Sequence, residues 1–371
     1  MLYAERHARA LLKEFDIEIN GSRPWDIRVH NPKLYGRALS MGSLGFGEAY
    51  MDGWWDCDAL DELFFRLLRK DIRERIKNNW PVLLHGIVSR LFNLQRKSRA
   101  FHIGEKHYDV GNDLYQGMLD RRMVYTCGYW KDAANLDQAQ EAKLDLVCKK
   151  IHLLPGQRVL DIGCGWGSFA KFAAERYGAH VVGITVSKEQ VALGQKLCAG
   201  LPVEIRLQDY RDVNETFDHI ISLGMFEHVG YRNYRLFYDL VSKNLKDDGL
   251  FLLHTIAGPS STTGTDPWIH KYIFPNSMLP SAVQLARAAE GRFITEDWHN
   301  FGSDYDKTLL SWSKNVESAW NGLKDRYSER FHRMWRYYLL SCAGLFRARQ
   351  AELYQIVYSK HGVLDGYISV R

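Results

Sequence analysis

Val159-Leu160-Asp161-Ile162-Gly163-Cys164-Gly165-Trp166-Gly167-Ser168-Phe169 decides the fold of this 371-residue chain. The apolar run that carries Asp161 reads as a buried parallel strand. Three alternating glycines then make a tight turn, and Phe169 to Glu175 opens a helix. Glycine is required where the backbone takes a positive φ or comes close to a ligand. The helix that follows aims its free N–H groups back over the turn. The spacing is GxGxG, not the GxGxxG of dinucleotide sites. No Asp or Glu ends the next strand candidate, His180–Ser187, where a nicotinamide enzyme would hold its ribose.

An acidic residue two positions before the first glycine, followed by GxGxG, resembles the first motif of S-adenosylmethionine-dependent methyltransferases. Outward from this turn, strand and helix patterns alternate. Strands are expected at 158–162, 180–186, 203–207, 217–223 and 249–256, and helices at 168–177, 187–200 and 231–246. Leu136 to Ile151 forms an amphipathic helix that enters the first strand through Pro155-Gly156. The alternation predicts an α/β, doubly wound and mostly parallel sheet, with ligands beyond the carboxyl ends of its strands.

Residues 1–100 are expected to form a smaller, mixed α+β N-terminal domain, and 101–371 the catalytic domain. Met1 to Glu14 reads as a helix, Phe15 to Leu39 as short strands, and Asp61 to Lys77 as a helix; Gly42, Gly45 and Gly47 punctuate a turn between them. Trp80 to Leu94 carries an apolar helical stripe followed by Arg96, Lys97 and Arg99. This pattern suits a helix lying on an anionic lipid surface, and equally an ordinary packed helix. From Arg66 to Lys106, eleven Lys or Arg face three acidic residues, a local net charge of +8 in a chain of +5. A nucleic-acid partner is disfavoured because no helix-turn-helix or zinc-finger pattern accompanies the charge. The six cysteines show no paired spacing, which argues against a metal centre or a disulfide framework and for a reduced, cytoplasmic setting. No apolar run reaches the roughly 20 residues of a spanning helix, and Met1 to Lys13 lacks the apolar core of a signal peptide.

Several polar residues stand just past the expected strand ends: Thr185, Ser187 and Gln190, then Gln208, Asp209 and Tyr210, then Glu227, then His254. Glu227 follows a buried strand, where desolvation raises a carboxyl pKa. Their convergence beside GxGxG marks a site more strongly than any one of them does.

The strings HYDVGNDLY, YTCGYWKDA, VLDIGCGWGS, MFEHVG, FLLHTI, DPWIHKYIFP, DWHNFGSDYDKTL and SCAGLFRAR resemble those of cyclopropane-fatty-acyl-phospholipid synthases from about Phe101 onward. The first hundred residues resemble the extra domain of the bacterial phospholipid-acting branch. The resemblance implies transfer of a methylene from S-adenosylmethionine to a cis double bond of a phospholipid acyl chain. It also implies a bicarbonate ion as the base, held by Cys127, Glu227, His254, Tyr305 and the backbone at Ile256. By motif position the cofactor set is Tyr125, Thr126, Asp161, Gly163, Gly165, Thr185, Gln190, Gln208, Asp209 and Tyr210. Cys342 has been a candidate nucleophile in the family, but the reaction needs no covalent enzyme intermediate, and a packing role is favoured. The expected partners are unsaturated phospholipid and the anionic inner membrane surface, with no nucleic acid; assembly state is left open, a homodimer included. Rival readings are fatty-acid methylation without ring closure, a nucleic-acid methyltransferase, and a non-enzymatic lipid-surface protein.

Overall fold

The computed structural model describes residues 2–69 and 111–371. The chain divides into two compact units, one drawn from Met1–Phe92, Gly264–Pro275 and Tyr305–Ala351, the other from Asn93–Thr263, Asn276–Asp304 and Glu352–Arg371. The boundary expected near residue 100 lies outside the described residues, as do the stripe at Trp80–Leu94 and its basic flank. Two late segments therefore share a unit with the N-terminal residues.

In the first unit, Phe15, Ile17, Ile19 and Ile27 are buried, as their alternation requires. Little of that stretch is regular strand. β1 (Arg28–Val29) pairs antiparallel with β2 (Trp55–Asp56), and a lone bridge joins Ile19 to Ile27. The short strands expected as far as Leu39 give way to a helix, Lys33–Met51, and the three glycines expected in a turn lie inside it. The helix kinks at Gly42 (φ 57°, ψ −135°). Gly45 and Gly47 serve close approach instead of reversal. A Cβ on Gly45 would stand 2.3 Å from the Arg37 carbonyl oxygen, and one on Gly47 2.5 Å from the Trp268 ring. The helix expected at Asp61–Lys77 spans Leu60–Arg69 within the described residues.

Among the described residues the second unit is built on seven strands: β3 (Arg158–Ile162), β4 (His180–Thr185), β5 (Val203–Leu207), β6 (Phe217–Leu223), β7 (Leu245–Ala257), β8 (Ile294–Asn300) and β9 (Glu352–Ser359). Their order is β5-β4-β3-β6-β7-β9-β8. The first five are parallel, while β9 runs antiparallel to both β7 and β8. The parallel strands match the sequence expectation within a few residues; β8 and β9 were not anticipated.

Side chains alternate across this sheet. Leu160, Ile162, Phe251 and Leu253 enter one core, while Val159, Leu250 and Leu252 enter the other with Leu144, Val147 and Cys148 of the helix Leu136–Lys150. Covered faces of this kind are what a parallel sheet needs. From β3 the chain goes outward to β4 and β5, then returns on the other side as β6. The resulting crevice at the carboxyl ends of β3 and β6 is where such sheets bind ligands.

Candidate active site

Gly163, Gly165 and Gly167 take φ of 82°, 55° and 80°. The turn is anchored across the sheet: the N–H groups of Gly163 and Cys164 both donate to the Ile184 carbonyl, at 2.9 and 3.0 Å. A Cβ on Gly163 would strike Met225 at 2.5 Å, whereas one on Gly165 would meet no protein atom within 4 Å. Gly165 lines a cavity, so a side chain there would enter that space. All ten residues of the expected cofactor set line this same cavity. Thr185 donates to Gln190 Oε1 at 2.7 Å. The Gln208 N–H donates to the Thr185 carbonyl at 3.0 Å. Asp209 is buried, and its Oδ1 accepts from the Arg211 N–H at 2.9 Å.

One polar residue of the cavity escaped the sequence reading. Lys143 is fully buried and lines the cavity with Asp161. Its ammonium donates to Thr126 Oγ1 at 2.7 Å, and Gln140 Nε2 donates to the Thr126 carbonyl at 2.7 Å. The helix Leu136–Lys150 therefore grips Thr126 by both oxygens. Burial lowers the Lys143 pKa to about 8, opposed by the charges of Asp120, Cys127 and Asp161. Burial raises Asp161 to about 7 against the pull of Lys143. Its Oδ1 has no hydrogen-bond partner among the described residues. The missed signal was a lysine on an apolar stripe: Lys143 sits four residues before Val147, on the face turned to the sheet.

At the neighbouring strand ends, β6 and β7 pair with Leu223 opposite His254. Glu227 lies in the short turn Phe226–His228 after β6. Its Oε1 accepts from the Ile256 N–H at 2.6 Å, while Oε2 is buried without a partner among the described residues. Burial raises its pKa to about 7, against the pull of the Ile256 hydrogen bond. His254 is likewise buried. Its Nδ1 contacts Gln355 Nε2 at 3.3 Å, which makes Nδ1 the acceptor, and Nε2 has no partner among the described residues. Burial, with Lys143 and Lys150 nearby, drives its pKa well below the usual value, so the imidazole is neutral at pH 7. Cys127 is fully buried and follows the gripped Thr126; its thiol donates to the Gly128 carbonyl at 3.2 Å.

Tyr305 and Cys342 belong to the first unit. The Tyr305 ring packs on Phe346 at 4.5 Å. Desolvation pushes the Cys342 thiol up to about 12, which leaves it protonated at neutral pH. All six cysteines are free.

Residues 95–356 match the family described as mycolic acid cyclopropane synthetase. The chain is 53% identical over 361 residues to a cyclopropane-fatty-acyl-phospholipid synthase of Escherichia coli K12, covering 97% of this chain and 94% of that one. It is 33% identical over 377 residues to a sphingolipid C9-methyltransferase of Komagataella phaffii, covering 93% and 76%. Among solved structures, mycolic acid cyclopropane synthase CmaA1 complexed with SAH and CTAB superposes with a TM-score of 0.66 at 32% identity, over 72% of this chain and all of that one. The parallel sheet, the glycine turn at its switch point and these relatives agree: the chain belongs to the mycolic acid cyclopropane synthetase family of S-adenosylmethionine-dependent methyltransferases.

Proposed function

We propose that this enzyme binds S-adenosylmethionine in the cavity at the β3 turn and converts cis double bonds of phospholipid acyl chains to cyclopropane rings. The observation that carries the reading is a pair of buried atoms at that cavity's sheet edge, Glu227 Oε2 and His254 Nε2, that have no hydrogen-bond partner among the described residues. Buried polar atoms are almost always satisfied. Two such atoms at adjacent strand ends are placed to hydrogen-bond a small polar ligand.

The cofactor supplies an electrophilic methyl group. An isolated alkene is a weak nucleophile, so the protein must hold it against the sulfonium with water excluded. Methyl transfer leaves a carbocation on the acyl chain, which aromatic faces stabilise without attacking it. Ring closure then moves a proton from the new methyl group to a base.

For that base we adopt the family's bicarbonate ion, with Cys127, Glu227, His254 and the Ile256 backbone as its holders and Tyr305 assigned by its motif alone. An anion beside Glu227 requires either a protonated carboxyl or a cationic histidine. The pKa directions favour the first: His254 is neutral, while Glu227 titrates near pH 7 and can donate from Oε2. The thiol of Cys342 is too weakly acidic for a nucleophile, which favours its packing role.

Among the described residues no helix is long and apolar enough to cross a membrane. We assign contact with the anionic inner surface of the bilayer to the basic stretch at 66–106, on charge alone.

The test is incubation with labelled S-adenosylmethionine and unsaturated phospholipid vesicles, followed by mass and double-bond analysis of the acyl chains. Gain of one CH₂ with loss of the double bond is expected. Gain of one CH₂ with the double bond retained would instead favour methylation without ring closure, the sibling chemistry that the sphingolipid relative's name suggests.

A further inference from the structure

We infer that Gln355 is a positioning residue for the reaction: its amide fixes the tautomer of His254 and leaves the ring proton on Nε2. The inference rests on the reading of His254 as an anion holder and names the residue that makes it a donor.

Three strands bring the parts together. In the antiparallel half of the sheet, Gln355 of β9 lies opposite His254 of β7 on one side and His299 of β8 on the other. Cross-strand partners share a sheet face, so the three side chains form one polar row. Gln355 is fully buried, and its Nε2 stands 3.3 Å from His254 Nδ1. An amide nitrogen only donates, so Nδ1 must accept. A neutral imidazole has a single N–H. Its proton is therefore on Nε2, the atom without a hydrogen-bond partner among the described residues. With a lone pair there instead, His254 would repel an anion.

The same device recurs one strand further. Lys150 Nζ stands 3.1 Å from His299 Nδ1 and pairs with the buried Asp297 at 3.2 Å. Burial, with Lys150 and Arg371 nearby, lowers the His299 pKa to about 3, so this ring is neutral too. An ammonium likewise only donates, which puts the His299 proton on Nε2 as well. The Phe301 ring packs on both imidazoles, with centroids 5.9 Å from His254 and 4.9 Å from His299. Phe301 thus restrains the His254 ring, and Gln355 chooses its tautomer. The hydrogen bond made by one ring nitrogen decides what the other can do.

The experiment is nitrogen NMR on histidine-labelled wild type and Gln355→Met, with the His254 signals assigned by their loss in His254→Asn. Gln355→Met keeps the length of the side chain and removes its donor. Wild-type His254 is expected neutral at pH 7 with its proton on Nε2, and the variant is expected to mix the two tautomers. A wild-type proton on Nδ1, or an unchanged tautomer in the variant, overturns the inference. Kinetics give a second readout. The bicarbonate concentration for half-maximal turnover should rise roughly 10–100-fold, as when the partner that orients a ligating histidine is lost. Saturating bicarbonate should restore turnover, and S-adenosylhomocysteine affinity should not change. A turnover loss that bicarbonate does not relieve, or a parallel loss of S-adenosylhomocysteine affinity, overturns the positioning role. Should Gln355→Met fail to fold, the wild-type spectrum alone decides. If bicarbonate leaves wild-type turnover unchanged, the anion reading fails, and the spectra still decide whether Gln355 sets the tautomer.

Discussion

The Ile256 N–H donates to Glu227 Oε1 at 2.6 Å, tying the turn after β6 to the end of β7. One carboxyl oxygen is thereby held in place, while the other has no hydrogen-bond partner among the described residues. Burial then sets the protonation, holding the carboxyl near pH 7 instead of 4.5. A carboxyl poised at neutral pH suits proton transfer and suits donation to an anion.

Replacing Glu227 by Gln keeps the acceptor for Ile256 and removes the titrating proton. S-adenosylhomocysteine should bind almost normally, while turnover falls by about 10²–10⁴-fold, the usual loss when a general acid–base group is removed. Depleting bicarbonate should slow wild type, and resupply should restore it. Full activity in carbonate-free buffer would exclude bicarbonate and leave Glu227 itself as the base.

The same substitution has a stability signature. The folded Glu227 pKa is raised above its unfolded value, so between about pH 4.5 and 7 the native state binds the extra proton. Stability from this group is therefore fully present below pH 4.5 and is lost as pH rises through 7. Glu227→Gln should match wild type near pH 4.5 and exceed it at pH 8 by up to about 3 kcal/mol, at 1.36 kcal/mol per pKa unit. Denaturant midpoints at the two pH values measure this. A constant difference would mean that the carboxyl is hydrated in solution.

Gly165→Val places a side chain in the cavity where no protein atom stands within 4 Å. The φ of 55° makes any side chain strained, at about 1–3 kcal/mol. The fold should survive that cost with a lowered midpoint, and S-adenosylhomocysteine binding should vanish. Unchanged affinity by calorimetry would move the cofactor away from this turn.

The parallel half of the sheet was legible because each signal was local: a buried apolar run, a glycine turn, a helix at a period of 3.6. β8 and β9 were not. Ile294–Asn300 reads Ile-Thr-Glu-Asp-Trp-His-Asn, five polar residues in seven, and Asp297 within it is buried only because partners far along the chain satisfy it. Lys143 was missed for a related reason. A lysine on a helix ordinarily reads as solvated, and only the tertiary placement over β3 turns it into a buried charge. Gly45 and Gly47 show the converse error, since glycines that admit the Arg37 carbonyl and the Trp268 ring look in sequence like turn residues.

Asp297 supports a specific test of those distant partners. It pairs with Lys150 at 3.2 Å and Arg371 at 2.6 Å, and accepts from Ser369 at 2.9 Å. These cations and hydrogen bonds, acting against desolvation, hold its pKa at about 2. Because the folded value lies below the unfolded 3.8, its contribution is present above pH 4 and lost as pH falls toward 2. Asp297→Asn should cost about 3–5 kcal/mol at pH 7, since Lys150 is left as a buried cation without its counter-charge. The gap from wild type should narrow as the pH is lowered.

The last prediction concerns the basic stretch. Arg96, Lys97 and Arg99 follow an apolar stripe in a region carrying a net +8. Near an anionic bilayer each cation contributes about 1 kcal/mol, and the attraction decays within a Debye length. Reversing all three to Glu removes three attractions and adds three repulsions. Sedimentation with anionic vesicles should fall at least tenfold, while affinity for S-adenosylhomocysteine stays unchanged. Salt separates this from a purely apolar contact: raising it should weaken wild-type vesicle binding more than that of the variant. If both proteins sediment alike at low salt, the charge is only a solvated face, and the enzyme reaches its lipid by other surfaces.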